Sequence, residues 1–144
     1  MLHSMIDVAE CKASLWFTGD TLDPDELAGS LGCAPAYCIR KGDIYVSETG
    51  EEMVASTGRF QLTTGWRSGQ PMERLLRELL DQVPDDSALW AKINSRLSGK
   101  VFCGLILGSV NEEVELSTNM LLSLGQRGLS LHFDLYDSGD GPVT

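Results

Sequence analysis

Positive charge is scarce in this chain. Eleven lysines and arginines stand against 21 aspartates and glutamates among 144 residues, a formal net charge of −10. A free-standing nucleic-acid binder needs a basic patch, and a membrane-surface module needs one too, so both classes are disfavoured. Long apolar runs are also missing. The longest, Val101 to Leu107, spans seven residues with Gly104 inside it, whereas a spanning helix needs about 20. The start, Met1-Leu2-His3-Ser4-Met5-Ile6-Asp7, lacks the basic residues and apolar stretch of a secretory leader. The expectation is a cytoplasmic protein without membrane contact. Histidine is limited to His3 and His132, and no Ser-His-Asp or Cys-His arrangement emerges. His132 and Asp134, two apart on one strand face, would serve as base and orienter only if both met a cleft. The phosphate loop Gly-x-x-x-x-Gly-Lys-Ser/Thr is absent. The sequence therefore predicts no catalytic residue and no cofactor.

Cysteine is present but does not form a framework. Cys33 and Cys38 make a C-x4-C pair, while Cys11 and Cys103 stand alone. A structural zinc site needs four ligands, and no second close pair exists, so no metal is predicted. Four reduced, mostly buried thiols are expected.

The composition is 42% hydrophobic and 22% charged, ordinary for a globular domain. A chain of this size buries roughly two-thirds of its extended surface, enough for one core. Residues 1–12 show no period and are expected to form a flexible arm. Residues 13–137 read as one domain, and 138–144 as a disordered tail. Ala13 to Thr18 predicts a buried strand. Asp23-Pro24-Asp25-Glu26 predicts a capped helix that carries Leu27 and Leu31 inward and stops at Gly32. Asp43 to Ser47 and Met53 to Ser56 read as an edge hairpin around Glu48-Thr49-Gly50-Glu51. Phe60, Leu62, Thr64 and Trp66 alternate with polar or small residues as the buried face of a strand. Met72, Leu75, Leu76, Leu79, Leu80 and Val83 form the strongest helical stripe, ending at Pro84. A helix capped by Asp85 or Asp86 follows, with Leu89, Trp90, Ile93 and Leu97 inward and Gly99 at its end. Val101 to Leu107 reads as a central strand, with Val114 to Leu116 as a short partner. Ser117 or Thr118 caps the next helix, which Gly128 closes, and Leu129, Leu131, Phe133 and Leu135 predict a last half-buried strand. Trp16 and Trp90 are assigned to the core. This order predicts an α+β fold with a mixed, largely antiparallel sheet and helices mainly on one face. A ferredoxin-like or duplicated split β-α-β arrangement is the specific expectation.

Several short motifs recur in an order that matches a known family. They are Gly19-Asp20 with Leu22 and Pro24-Asp25-Glu26-Leu27, Leu31-Gly32 with Pro35, Arg40-Lys41-Gly42-Asp43, Thr64-Gly65-Trp66, Leu116-Ser117, Leu121 to Leu124, and Leu129 to Tyr136. Over Ala13 to Tyr136 the chain resembles the small bacterial family catalogued as DUF4279, a domain of unknown function. The resemblance implies a compact α+β domain and brings no activity, cofactor or site residue with it.

Charge is unevenly placed. Residues 1–58 hold 10 acidic and 3 basic residues, 59–100 hold 5 and 7, and 101–144 hold 6 and 1. Arg40-Lys41 is the one close basic pair in the acidic first part. It is expected to meet an anion or Asp20. The acidic group Asp20, Asp23, Asp25 and Glu26 fits helix capping better than a cation loop. Trp66-Arg67 stands at a strand end beside a loop, a common binding position. The candidate binding residues are therefore Asp20, Arg40, Lys41, Asp43, Trp66 and Arg67. The leading functional expectation is a non-enzymatic protein-binding or adaptor domain, immunity-like in its concrete version, whose partner has a basic surface. The alternatives are a small-molecule sensor or enzyme with a pocket near Asp20, Arg40, Lys41 and Trp66, and a structural homodimer.

Overall fold

The computed structural model describes residues 8–108 and 113–137. In chain order the elements are β1 (Val8–Gly19), α1 (Pro24–Leu31), β2 (Tyr37–Ile39), β3 (Ile44–Val46), β4 (Glu52–Val54), β5 (Gly58–Thr63), β6 (Arg67–Ser68), α2 (Met72–Leu80), α3 (Ser87–Asn94), β7 (Ser98–Leu107), α4 (Thr118–Gln126) and β8 (Ser130–Tyr136). The main sheet runs β2-β5-β1-β7-β8, with β6 also paired to β1. All its pairings are antiparallel except β7 with β8. The fold is thus α+β with a mixed, mostly antiparallel sheet. β1, α1 and β2 form a split β-α-β unit, because β5 lies between the two strands. The second unit, β7-α4-β8, joins adjacent parallel strands, so the two halves are not copies.

Register sorts the strand residues into two faces. Cys11, Ala13, Leu15 and Phe17 of β1 align with Leu105, Cys103, Val101 and Gly99 of β7, and Leu15 and Phe17 align with Leu62 and Phe60 of β5. All of these apolar side chains are buried, and one cluster joins them to Leu27 and Leu31, to Leu75, Leu76 and Leu79, to Trp90 and Ile93, and to Met120 and Leu124. Those last residues come from all four helices, so the helices share one face of the sheet. The opposite face carries Lys12, Ser14, Trp16, Phe102, His132, Asp134 and Tyr136, and no helix among the described residues covers it.

The helices begin where the sequence supplies caps. The Asp23 carboxylate accepts from the Asp25 and Glu26 amides, with Pro24 in the first turn. Asp86 caps α3 in the same way, and Ser117 caps α4 through the Met120 amide. Glu73 of α2 in turn accepts the Ser117 amide and pairs with Arg77. These contacts, led by the Ser117 amide, hold the Glu73 carboxyl below its ordinary value of 4.5. A carboxyl depressed on folding stabilises the native state above its unfolded pKa and loses that contribution as pH falls through the folded value. The urea midpoint should therefore drop as pH is lowered below about 4.5. Urea titrations of Glu73→Gln should show a shallower drop; an unchanged acid slope would refute the linkage.

Several expectations need correction. The strand begins at Val8, so residues 8–12 of the expected arm belong to the sheet; the rest of the arm and the tail 138–144 lie outside the described residues. The expected edge hairpin forms, but as a separate two-stranded sheet, β3-β4. Gly99 sits inside β7 rather than ending α3, because β7 pairs with β1 from Ser98 onward. Val114 to Leu116 is not a strand. Trp16 is half-buried on the uncovered face, since it alternates with the core residues Leu15 and Phe17. In β8 the helix layer covers the start only. Leu131 packs on the core, while Phe133 and Leu135 are exposed.

Candidate functional site

Arg40-Lys41-Gly42-Asp43 folds as a turn. The Asp43 amide donates to the Arg40 carbonyl at 3.1 Å, and the Arg40 amide donates to the Asp43 carboxylate at 2.9 Å. The turn aims both cations at the start of α1. The Arg40 guanidinium lies 3.1 Å from Asp23 and 3.1 Å from Asp25, and Lys41 lies 3.1 Å from Asp20. Hydrogen bonds from Lys41 and Thr57 hold the Asp20 carboxyl below its ordinary value. The Glu26 amide, with Arg40 as a lesser influence, does the same for Asp23. Asp20, Arg40, Lys41 and Asp43 therefore come together, as a solvated ion-pair network that satisfies itself.

This network stands at the base of the β3-β4 hairpin. Gly42 donates to Ala55 and Ala55 to Asp43, tying the two strands where they leave the body. Ile39 and Ala55 are buried there, outside the main core cluster. At the tip the Ser47 amide donates to Glu51, and the Gly50 and Glu51 amides donate back to Ser47. Pairing places Ile44 opposite Val54 and Val46 opposite Glu52, all on one face, with Tyr45 and Met53 on the other. Ile44, Val46 and Val54 are 66%, 67% and 65% exposed. β-branched residues in a strand normally pack against something, so this degree of exposure is unusual for them. The segment from Asp43 to Val54 holds four carboxylates, Asp43, Glu48, Glu51 and Glu52, and no basic residue. Sequence reasoning located the hairpin but overlooked its apolar outer face. The alternation of Ile44 and Val46 carried the signal, and three-residue strands are too short for it to stand out.

Trp66 and Arg67 lie elsewhere. Thr64 still pairs with Ala13, but Gly65 adopts φ 75°, a left-handed conformation that breaks the alternation of β5. Trp66 is thereby turned away from Phe60 and Leu62 to the uncovered face, beside Lys12, Ser14, Trp16, Phe102, Gly104, Asp134 and Tyr136. Asp20, Arg40, Lys41 and Asp43 are not among its neighbours there. Arg67 makes a bidentate pair with Glu78 of α2, at 3.2 and 2.6 Å, and also donates to the Thr64 carbonyl. That pairing raises its already high pKa. His132 stacks on Phe102 and bonds Ser130 on the same uncovered face as Asp134.

The cysteines are free thiols. Burial pushes Cys103 up to about 12 and raises Cys11 and Cys33 as well, so none of these three is a ready nucleophile. Among the described residues no group of three or more His, Cys, Asp or Glu side chains is placed to hold a metal ion. No described helix is long and apolar enough to cross a membrane. No curated protein and no solved structure matches the chain significantly. The family model of a domain of unknown function, DUF4279, matches residues 9–138, from the second residue of β1 through β8 with α1 to α4 included, and the chain belongs to that family.

Proposed function

We propose that the protein is a non-catalytic protein-binding domain whose docking surface is the outer face of the β3-β4 hairpin. The exposed apolar trio Ile44, Val46 and Val54, with carboxylates around it and no basic residue in the segment, carries this reading. An apolar centre supplies affinity when it is buried, and a charged rim supplies steering and selectivity. The occupant that fits is a second protein presenting an apolar patch ringed by lysine or arginine. A second copy of this chain fits poorly, because two hairpins would oppose carboxylate to carboxylate. Asp20, Arg40, Lys41 and Asp43 act as the brace that fixes the hairpin on the body, not as partner contacts.

The test uses immobilised wild type, Ile44→Ser/Val54→Ser, and Glu51→Lys/Glu52→Lys in host lysate, followed by titration of the purified partner. Both pairs of substitutions lie outside the core, so thermal midpoints should stay near wild type. The apolar double variant should lose the partner by about tenfold or more, and the charge-reversed one should slow its association. Equal retention by all three proteins would overturn the proposal.

A further inference from the structure

The uncovered face of the main sheet contains a second feature, separate from the hairpin. A cavity of about 160 Å³ opens there. Its floor comes from Ser14 of β1 and Gly104 of β7, the two smallest side chains of that patch. A Cβ at Gly104 would lie 2.9 Å from the Trp66 ring, so that ring rests directly on the glycine. Trp16 and Phe102 contact each other with ring centroids 4.7 Å apart, and Trp66 meets Tyr136 edge to face at 6.0 Å. All four rings are half-buried, so part of each aromatic surface remains open to solvent. Two charges line the same cavity: Lys12, with its ammonium 4.9 Å from the Trp66 centroid, and the exposed carboxylate of Asp134. Register places them in one row across three strands, Lys12 beside Gly104 and Gly104 beside Asp134.

From this arrangement we infer that the cavity binds one planar nitrogen heterocycle of nucleobase type that carries an exocyclic amino group. A cavity of roughly 150 Å³ holds one aromatic ring. Tryptophan faces stack on any base, and Trp16 and Trp66 supply them here. The Asp134 carboxylate accepts from an exocyclic amino group, and the Lys12 ammonium donates to a ring carbonyl, to an unprotonated ring nitrogen or to an attached phosphate. A ligand cation is disfavoured because Lys12 already occupies the cationic position over Trp66. A long single strand is disfavoured because a polyanion meets a net charge of −10. The ligand class is therefore the free base, nucleoside or mononucleotide.

Calorimetric titration of the intact protein with cytidine, adenosine, guanosine and uridine tests this. The three amino-bearing nucleosides should bind, and uridine should bind more weakly. Asp134→Asn, an exposed change that leaves the fold intact, should weaken cytidine by about tenfold. Trp66→Leu should abolish binding, while Ile44→Ser/Val54→Ser should not affect it, which keeps this result distinct from that of the hairpin. Absence of binding up to about 10 mM, equal affinity in Asp134→Asn, binding of glucose in place of nucleosides, or binding only of an oligonucleotide would each overturn the inference.

Discussion

Replacing Trp90 by alanine should cost about 3–5 kcal/mol of folding free energy, a large share of the 5–15 kcal/mol typical of a domain. Trp90 is 1% exposed, stacks on Phe17 with centroids 5.9 Å apart, and donates its ring N–H to the Pro84 carbonyl at 2.8 Å. Three losses coincide in the variant: the packing of a large ring, the hydrogen bond, and the ring beneath a buried cation. The third is particular to this fold. Arg127 is almost fully buried, its guanidinium lies 5.9 Å from the Trp90 ring, and among the described residues it reaches the Ser123 carbonyl and, at 3.7 Å, Asp85. Without Trp90 that cation faces a void. Trp90→Phe keeps the stack and loses the hydrogen bond, so its cost should be about 1–2 kcal/mol. Trp16→Ala, on the uncovered face, should cost less than Trp90→Ala. Urea denaturation followed by circular dichroism measures all three. A loss below about 1 kcal/mol for Trp90→Ala would contradict the core assignment.

Gly58→Ala should produce the second large effect, about 1–3 kcal/mol. Gly58 begins β5 and faces Gly19 at the end of β1. A Cβ there would lie 2.9 Å from the Gly19 carbonyl oxygen and 2.8 Å from Leu22 Cβ. Neither is the free end of a flexible side chain, so relief requires the strands to part. They would part at the corner where Asp20 meets Lys41 and Thr57, the brace of the hairpin. The variant should therefore lose stability and weaken partner binding together, whereas Ile44→Ser/Val54→Ser weakens binding alone. Thermal melts paired with partner titrations separate the two; a Gly58→Ala protein as stable as wild type would refute the close-approach argument.

Much of the fold is legible in local chemistry. Asp23-Pro24 and Gly32 bound α1, Asp86 and Ser117 start α3 and α4, and the leucine stripe of α2 falls on the buried face. The failures arise where a neighbour decides. β2 and β6 are three and two residues long and exist through their pairing with β5 and β1, which no local pattern encodes. Trp16 sits in an apolar run, so hydrophobicity alone does not reveal its face; the partner strands do. Trp66 follows a glycine whose left-handed backbone reverses the alternation that otherwise predicts it inward. The exposure of Phe133 and Leu135 follows from β8 being the edge strand, a property of strand order. Of the candidate site, Arg40, Lys41 and their carboxylates are readable as a charge group, because a basic pair in an acidic segment has few other places to go. Its separation from Trp66 and Arg67 is a matter of topology.

The hairpin face is proposed to meet a partner protein. A photo-crosslinking amino acid placed at Val46, compared in host cells with the same group at exposed Leu122 of α4, tests it most directly. Val46 should give an adduct with a protein of basic surface, absent from Leu122 and weakened by Glu51→Lys/Glu52→Lys. No adduct from Val46, an adduct with a second copy of this chain alone, or the same adducts from both positions would contradict it.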